Sequence, residues 1–408
     1  MKRVVITGLG IRTPLGNDIE TFCQALHNGQ CAVRTMSEWD RYPGITSRVA
    51  ATTPLNDAEV KTIPRSSRRS MGRLAIFAAL AAKSAVVDAG LAETELTDGS
   101  TGCIIGSTMG SPDSILEAMK ALITNNSFAE LSAMQFFKCV SHTAAMNVSN
   151  YLNLRGHISA TSSACASSLQ ALGQGASIIA TGQQKIMLCG GSEEVGISVT
   201  GSFDILYAAS HNFNDQPQKA SRPFDAQRDG LVCGEGAGIL VLEEYEHAKA
   251  RGAHIYGEVT GYATCGSGNH ISQSDYPSIV RCIKSALQNA KCSPDEIGYI
   301  SAHATATLHG DAVEVAAMKA VFGDKTPMSS MKGHIGHTMG ASGAIETIAS
   351  LIMMRDGVIY PTINLDNVAD DCQYDAHITT ATTAPFNAFI KNCFAFGGIN
   401  AVLVCKKL

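Results

Sequence analysis

The sequence predicts a layered α/β fold, and three features carry that expectation. Short β-branched runs end in glycine, alanine-rich stretches of helical length lie between them, and two distant segments follow one plan. With 408 residues the chain is long enough for one large domain or two ordinary ones. Hydrophobic residues make up 45% and charged residues 16%, which excludes a disordered chain. The 38 glycines have no collagen period and fit the many tight turns of an α/β protein.

Taken in order, VVITGL at 4–9 is a buried strand closed by glycine. From Arg73 to Ala89 the chain reads as a helix capped by Gly90. CIIGS at 103–107 is another strand entering a glycine turn. Segment 160–191 runs loop, small-residue helix (166–180) and strand, and segment 329–359 repeats loop, small-residue helix and apolar stretch. Each is followed by a glycine-rich strand, GEGAGILVLEE at 234–244 and FGGINAVLVCKK at 396–407. An internal duplication follows, with halves 1–250 and 251–408.

Composition narrows the function. A net charge of −5 argues against nucleic acid as the main partner. No run reaches the roughly 18 apolar residues of a membrane span, and the N-terminus lacks a signal-peptide pattern, so a cytoplasmic protein is expected. The 13 cysteines are odd in number and lack CxxC pairs, which fits free thiols in a reducing compartment. One basic cluster, Pro64 to Arg69 followed by Arg73, is either a solvated helix start or a docking patch for an acidic protein.

Cys165 stands among small residues in TSSACASS, at the expected mouth of a helix. A helix N-terminus favours thiolate and lowers a cysteine pKa from ~8.5 into the range ~3.5–7.5. His303 follows a short strand in SAHATAT, and His337 ends KGHIGH at the expected start of the second small-residue helix. His303/His309 and His334/His337 match neither HExxH nor a Cys/His zinc spacing, so no metal is expected. GCIIGSTMG fits neither GxGxxG nor GxxxxGK[ST], and a nucleotide site is not expected.

Together these segments resemble the elongating β-ketoacyl-[acyl-carrier-protein] synthases, the thiolase-fold ketosynthases of fatty-acid and polyketide assembly. The resemblance runs from KRVVITGLGI at 2–11 through SSACASS, SRPFDAQRDGLVCGEGAGILVLE, SAHATATLHGDAVE and KGHIGHTMGASG to FAFGGINAVLV at 394–404. It implies a duplicated five-layered α-β-α-β-α architecture. Cys165 would be the acyl nucleophile, His303 and His337 its partners, Lys332 the organiser of His337, and Glu314 the acid that steadies Lys332. Thr305 and Thr307 would hold the phosphopantetheine arm, and Phe396 would gate the acyl channel. The Cys165 and Phe396 N–H groups would form an oxyanion hole, and Met109 would limit the depth of the acyl pocket. Arg65, Arg68 and Arg69 would dock acyl carrier protein. The resemblance also implies no bound cofactor, and a homodimer or a heterodimer with a chain-length-factor-like subunit.

Ala304, Ala395, Ile399, His334 and Ile335 depart from the family pattern. Ala304 would crowd a turn usually made by glycine, and Ala395 would stiffen the gating loop. A dedicated polyene or aryl polyene pathway therefore stands beside ordinary fatty-acid elongation. A non-catalytic partner subunit would lack the cysteine. A thiolase would carry a C-terminal CxG that Cys393 and Cys405 do not supply, and a starter-unit synthase would pair histidine with asparagine. A cysteine hydrolase is left only by the presence of Cys and His.

Overall fold

The computed structural model describes all 408 residues. Ten strands form its main sheet: β1 (Val4–Arg12), β2 (Thr101–Gly106), β3 (Ile158–Ser159), β4 (Ile186–Glu193), β5 (Gly236–Glu244), β6 (Gly257–Gly266), β7 (Tyr299–Ser301), β8 (Met328–Ser329), β9 (Ala388–Ala395) and β10 (Ile399–Lys406). Their spatial order is β8-β7-β9-β10-β6-β1-β5-β4-β2-β3. Outward from the β1/β6 junction, each half places its strands first, fifth, fourth, second and third in chain order. Directions also match: the first two pairings of each half are antiparallel and the outer two parallel. Only Val5 with Glu258 and Ile6 with Gly257 join the halves through that junction.

Six helices fill the layers: α1 (Arg73–Asp88), α2 (Thr143–Leu152), α3 (Ser167–Ala180), α4 (Tyr276–Asn289), α5 (Leu308–Phe322) and α6 (Ser342–Asp356). Helices α1 and α2 cover the outside of the first half-sheet, and α4 and α5 the outside of the second. Between the half-sheets, α3 and α6 lie against each other. The result is a duplicated α-β-α-β-α sandwich of the thiolase type. Thirteen of the fifteen residues of α6 are buried, whereas α3 buries nine of fourteen. A helix apolar on all sides belongs in the middle of a large protein.

Small residues let the two central helices touch. A Cβ on Gly343 would come within 2.9 Å of the Leu169 backbone nitrogen and of the Ser168 hydroxyl. That hydroxyl accepts the Ala344 N–H at 3.0 Å. No helix is long and apolar enough to cross a membrane.

Candidate active site

Both halves deliver a side chain to one point through a tight turn. Ala164 is held in the left-handed region (φ 49°) immediately before Cys165, and α3 begins two residues later. An alanine there is strained, and such strain gathers at functional turns. In the second half Gly336 takes φ 65° immediately before His337. A side chain at 336 would meet the Val232 carbonyl at 2.9 Å, so glycine is required. The His337 N–H then donates to Val232 (2.7 Å) and its carbonyl accepts from Gly234 (2.8 Å), clamping it to the first half. His337 thus precedes α6 by a turn of 3₁₀ helix (Met339–Ala341) rather than opening the helix itself.

The three expected residues meet. His337 Nε2 lies 2.9 Å from Cys165 Sγ. The His303 and His337 rings sit edge to face, 5.3 Å apart. Sγ and a nitrogen of each ring all fall within 4.8 Å of one another. His337 Nδ1 is 2.9 Å from Ser342 Oγ, while the buried His303 Nδ1 has no partner.

Electrostatics keep both rings neutral. Burial lowers His303 and His337 well below the usual histidine range, and the Lys332 and Lys391 charges push them further down. For Cys165 the expected lowering is overturned: burial pushes its thiol up to about 12, with Cys393 adding to the rise. The sulfur is enclosed by the core, and desolvation outweighs the opposing pull of Lys332.

Lys332 is fully buried, but its partner is not Glu314. Its ammonium pairs with Glu346 at 2.8 Å, and Lys391 pairs with the other Glu346 oxygen. Glu314 instead accepts the N–H groups of His303 (2.8 Å) and Ala304 (2.7 Å) and the Asn392 amide (3.0 Å). It sits in the second turn of α5, directly under the turn that carries His303, so it braces that turn. Glu346, Lys391 and Ser342 escaped sequence reasoning. A lone acid in the apolar run GAIETIASLIMM and a lone lysine in AFIKNCFA were the available signals.

The Ala304 expectation is also corrected. Ala304 has ordinary backbone torsions, and the left-handed residue of this turn is Ala306 (φ 68°). Asp311 accepts the N–H groups of Thr305 and Ala306, presenting the Thr305 and Thr307 hydroxyls 3.2 Å apart. Ala395 is the last residue of β9, paired with Ile399, and the turn itself is made by Gly397 and Gly398.

Three cavities meet at Phe396. A chamber of about 30 Å³ at the thiol is lined by Cys165, His303, Thr305, His337 and Phe394. On one side lies a cavity of about 280 Å³ bordered by Thr307, Ser274 and His309. On the other is one of about 310 Å³, lined by Met109, Val199, Phe203 and Met339. Phe396 borders all three and packs against Phe203 at 6.0 Å. The N–H groups of Cys165 and Phe396 are not hydrogen-bonded to any other residue. Away from the site, Arg65 and Arg69 are exposed, Arg68 is half-buried, and none pairs with a carboxylate. Arg73 leaves the basic patch, because it binds the buried Glu235 carboxylate at 2.5 Å.

A buried Cys-His-His centre between two cavities, in a duplicated five-layered fold, defines a thiolase-superfamily condensing site. Residues 1–248 match the β-ketoacyl synthase N-terminal domain, and 256–366 match its C-terminal domain. The chain is 36% identical to 3-oxoacyl-[acyl-carrier-protein] synthase 1 of Haemophilus influenzae, covering 100% of this chain and 99% of that protein. A crystal structure of a β-ketoacyl synthase from Burkholderia phymatum superposes with a TM-score of 0.96 at 42% identity, covering both chains fully. The ishigamide ketosynthase/chain length factor gives 0.93 at 31% identity, over 100% of this chain and 99% of that one. The chain belongs to the β-ketoacyl synthase family and is an acyltransferase of that class.

Proposed function

We propose that this chain extends an acyl group by two carbons, condensing it with malonyl-acyl carrier protein. The observation that carries the reading is Cys165 Sγ set 2.9 Å from His337 Nε2, with His303 beside it, where two cavities meet. In the first half-reaction Sγ attacks the acyl thioester carbonyl, and the bond to the carrier's sulfur breaks. The thiol proton ends on the departing pantetheine thiol. The Cys165 and Phe396 N–H groups hold the transient oxyanion, where one such donor is worth ~10²–10³ in rate.

In the second half-reaction malonyl loses CO₂ and the freed electron pair becomes an enolate. Neutral His303 and His337 donate N–H bonds to the enolate oxygen. Its carbon attacks the Cys165 thioester, and the sulfur departs as thiolate and takes one proton from solvent. No metal or redox cofactor enters any step. Thr305 and Thr307 hold the pantetheine arm in the outer cavity. The acyl chain lies past Phe396 against Met109, and Phe396 swings on Gly397 and Gly398 to admit it. Lys332, tied to Glu346, keeps His337 neutral.

Arg65, Arg68 and Arg69 dock the acidic carrier; reversing their charge should raise KM for the carrier more than it lowers kcat. The halves 1–250 and 251–408 act as one catalytic unit in the cytoplasm. A dimer forms through the open edge strand β3 and the exposed apolar face of Pro112–Asn125, which carries Met119 and Ile123. The partner is a second copy or a chain-length-factor-like subunit. The likeness to the ishigamide ketosynthase/chain length factor supports the second form. Light scattering of the purified chain, alone and with a candidate subunit, separates the two. The reaction is tested by CO₂ release and product mass from acyl and malonyl carriers; a protein that releases no CO₂ and makes no β-ketoacyl product contradicts the proposal.

A further inference from the structure

We propose that Ser342 fixes the tautomer of His337, keeping its single ring proton on Nε2. The inference rests on the functional reading above and adds a positioning residue to it. Ser342 Oγ lies 2.9 Å from His337 Nδ1 and 3.2 Å from Thr338 Oγ1. All three side chains are buried. The ring is neutral, so it carries one proton, and its neighbours decide which nitrogen holds it.

Two arrangements satisfy the His337–Ser342 contact, and counting hydrogens separates them. In the first, the Thr338 hydroxyl donates to Ser342 and Ser342 donates to Nδ1. Every hydroxyl hydrogen then has an acceptor. In the second, Nδ1–H donates to Ser342 and Ser342 donates to Thr338. The Thr338 hydrogen is then left without an acceptor, because its hydroxyl has no partner other than Ser342. The first arrangement denies the Cys165 S–H the Nε2 acceptor that the second would give it. A thiol is a weak donor, whereas a buried hydroxyl without an acceptor is costly, so the first arrangement prevails.

The position of Ser342 in its helix supports the same assignment. Thr347 and Ser350, further along α6, spend their hydroxyls on the carbonyls of Gly343 and Glu346 four residues earlier. Ser342 opens the helix and makes no such bond, so its hydrogen is available for Nδ1. Nε2–H therefore points at Cys165 Sγ. One N–H serves twice: it stabilises the thiolate as it forms, and later the enolate oxygen that arrives beside the acylated sulfur.

The test is nitrogen NMR of the full-length protein labelled in its histidine rings, with the His337 signal identified by its loss in His337→Gln. The expected wild-type spectrum has an unprotonated Nδ1 and a protonated Nε2 at this residue. A protonated Nδ1 overturns the assignment without recourse to any Ser342 variant. Ser342→Ala should give mixed tautomers, slow condensation roughly ten- to a hundredfold, and move the acid limb of the pH profile toward neutrality. That limb moves because a donor on Nδ1 opposes protonation of the ring. Ser342→Thr, which keeps the hydroxyl, should recover most of the rate. A Ser342→Ala enzyme with wild-type rate and pH profile defeats this inference alone. A wild-type enzyme that never acylates Cys165 defeats the functional reading instead.

Discussion

Helices α3 and α6 occupy equivalent places in the two halves and pack against each other at their first turns, yet they do different work. The turn before α3 presents a sulfur, and α3 carries no ionised side chain. The turn before α6 presents an imidazole, and α6 buries Glu346 between Lys332 and Lys391. Burial of Glu346 alone would raise its pKa, but the two lysines hold it below the usual carboxylate range. The two halves share one frame and differ in what they bury: a thiol before α3, and an imidazole with an ionic cluster around α6.

The sharpest way to break this comparison is to separate the half-reactions. Cys165→Ala should lose acyl transfer altogether while the histidines still decarboxylate malonyl-acyl carrier protein. His303→Ala should still acylate Cys165 but lose ~10²–10³ in decarboxylation, read as CO₂ release. If Cys165→Ala and His303→Ala lose both activities equally, the division of labour between the halves is wrong.

Stability gives the next contrast. Glu346→Ala strands two buried ammonium groups and should cost about 3–5 kcal/mol in chemical denaturation. In α3, Gln170 bonds Ser163 and Thr264 near solvent, and Gln170→Ala should cost about 1 kcal/mol. Equal costs would mean that the ionic cluster is no more demanding than a side-chain amide. Gly343→Ala should cost about 1–3 kcal/mol by forcing the two helices apart, with acylation of Cys165 slowed because its turn moves with α3.

The last contrast is in pH. His303 and His337 are held well below their ordinary pKa, so the unfolded chain binds protons near pH 6.5 that the native one refuses. Through these two rings stability is untouched above that pH. Below it, stability falls by up to about 1.4 kcal/mol per pH unit for each ring. Condensation should therefore hold its rate through pH 6.5 rather than halving there, as measured in a pH profile of initial rates.

The sequence made the turns legible and the partners less so. Cys165, His303, His337 and Lys332 stand in distinctive small-residue motifs, and the paired glycine-rich strands exposed the duplication. Glu346 and Lys391 were hidden because one polar residue in an apolar helix or strand ordinarily faces water. Only the packing of α6 between two sheets turns that position inward. The pairing of Glu314 with Lys332 rests on the family resemblance alone, and the packed structure shows that Glu346 is the acid that reaches the ammonium. The expected lowering at Cys165 fails because a helix terminus can be read locally, whereas desolvation depends on everything folded over it.

The central claim is most directly tested by intact-protein mass spectrometry after mixing the enzyme with a panel of acyl carrier protein thioesters, followed by malonyl carrier. The account predicts an acyl adduct that is absent in Cys165→Ala and is discharged by malonyl carrier as a product two carbons longer. No adduct from any thioester, with folded protein and a candidate partner subunit present, would contradict it.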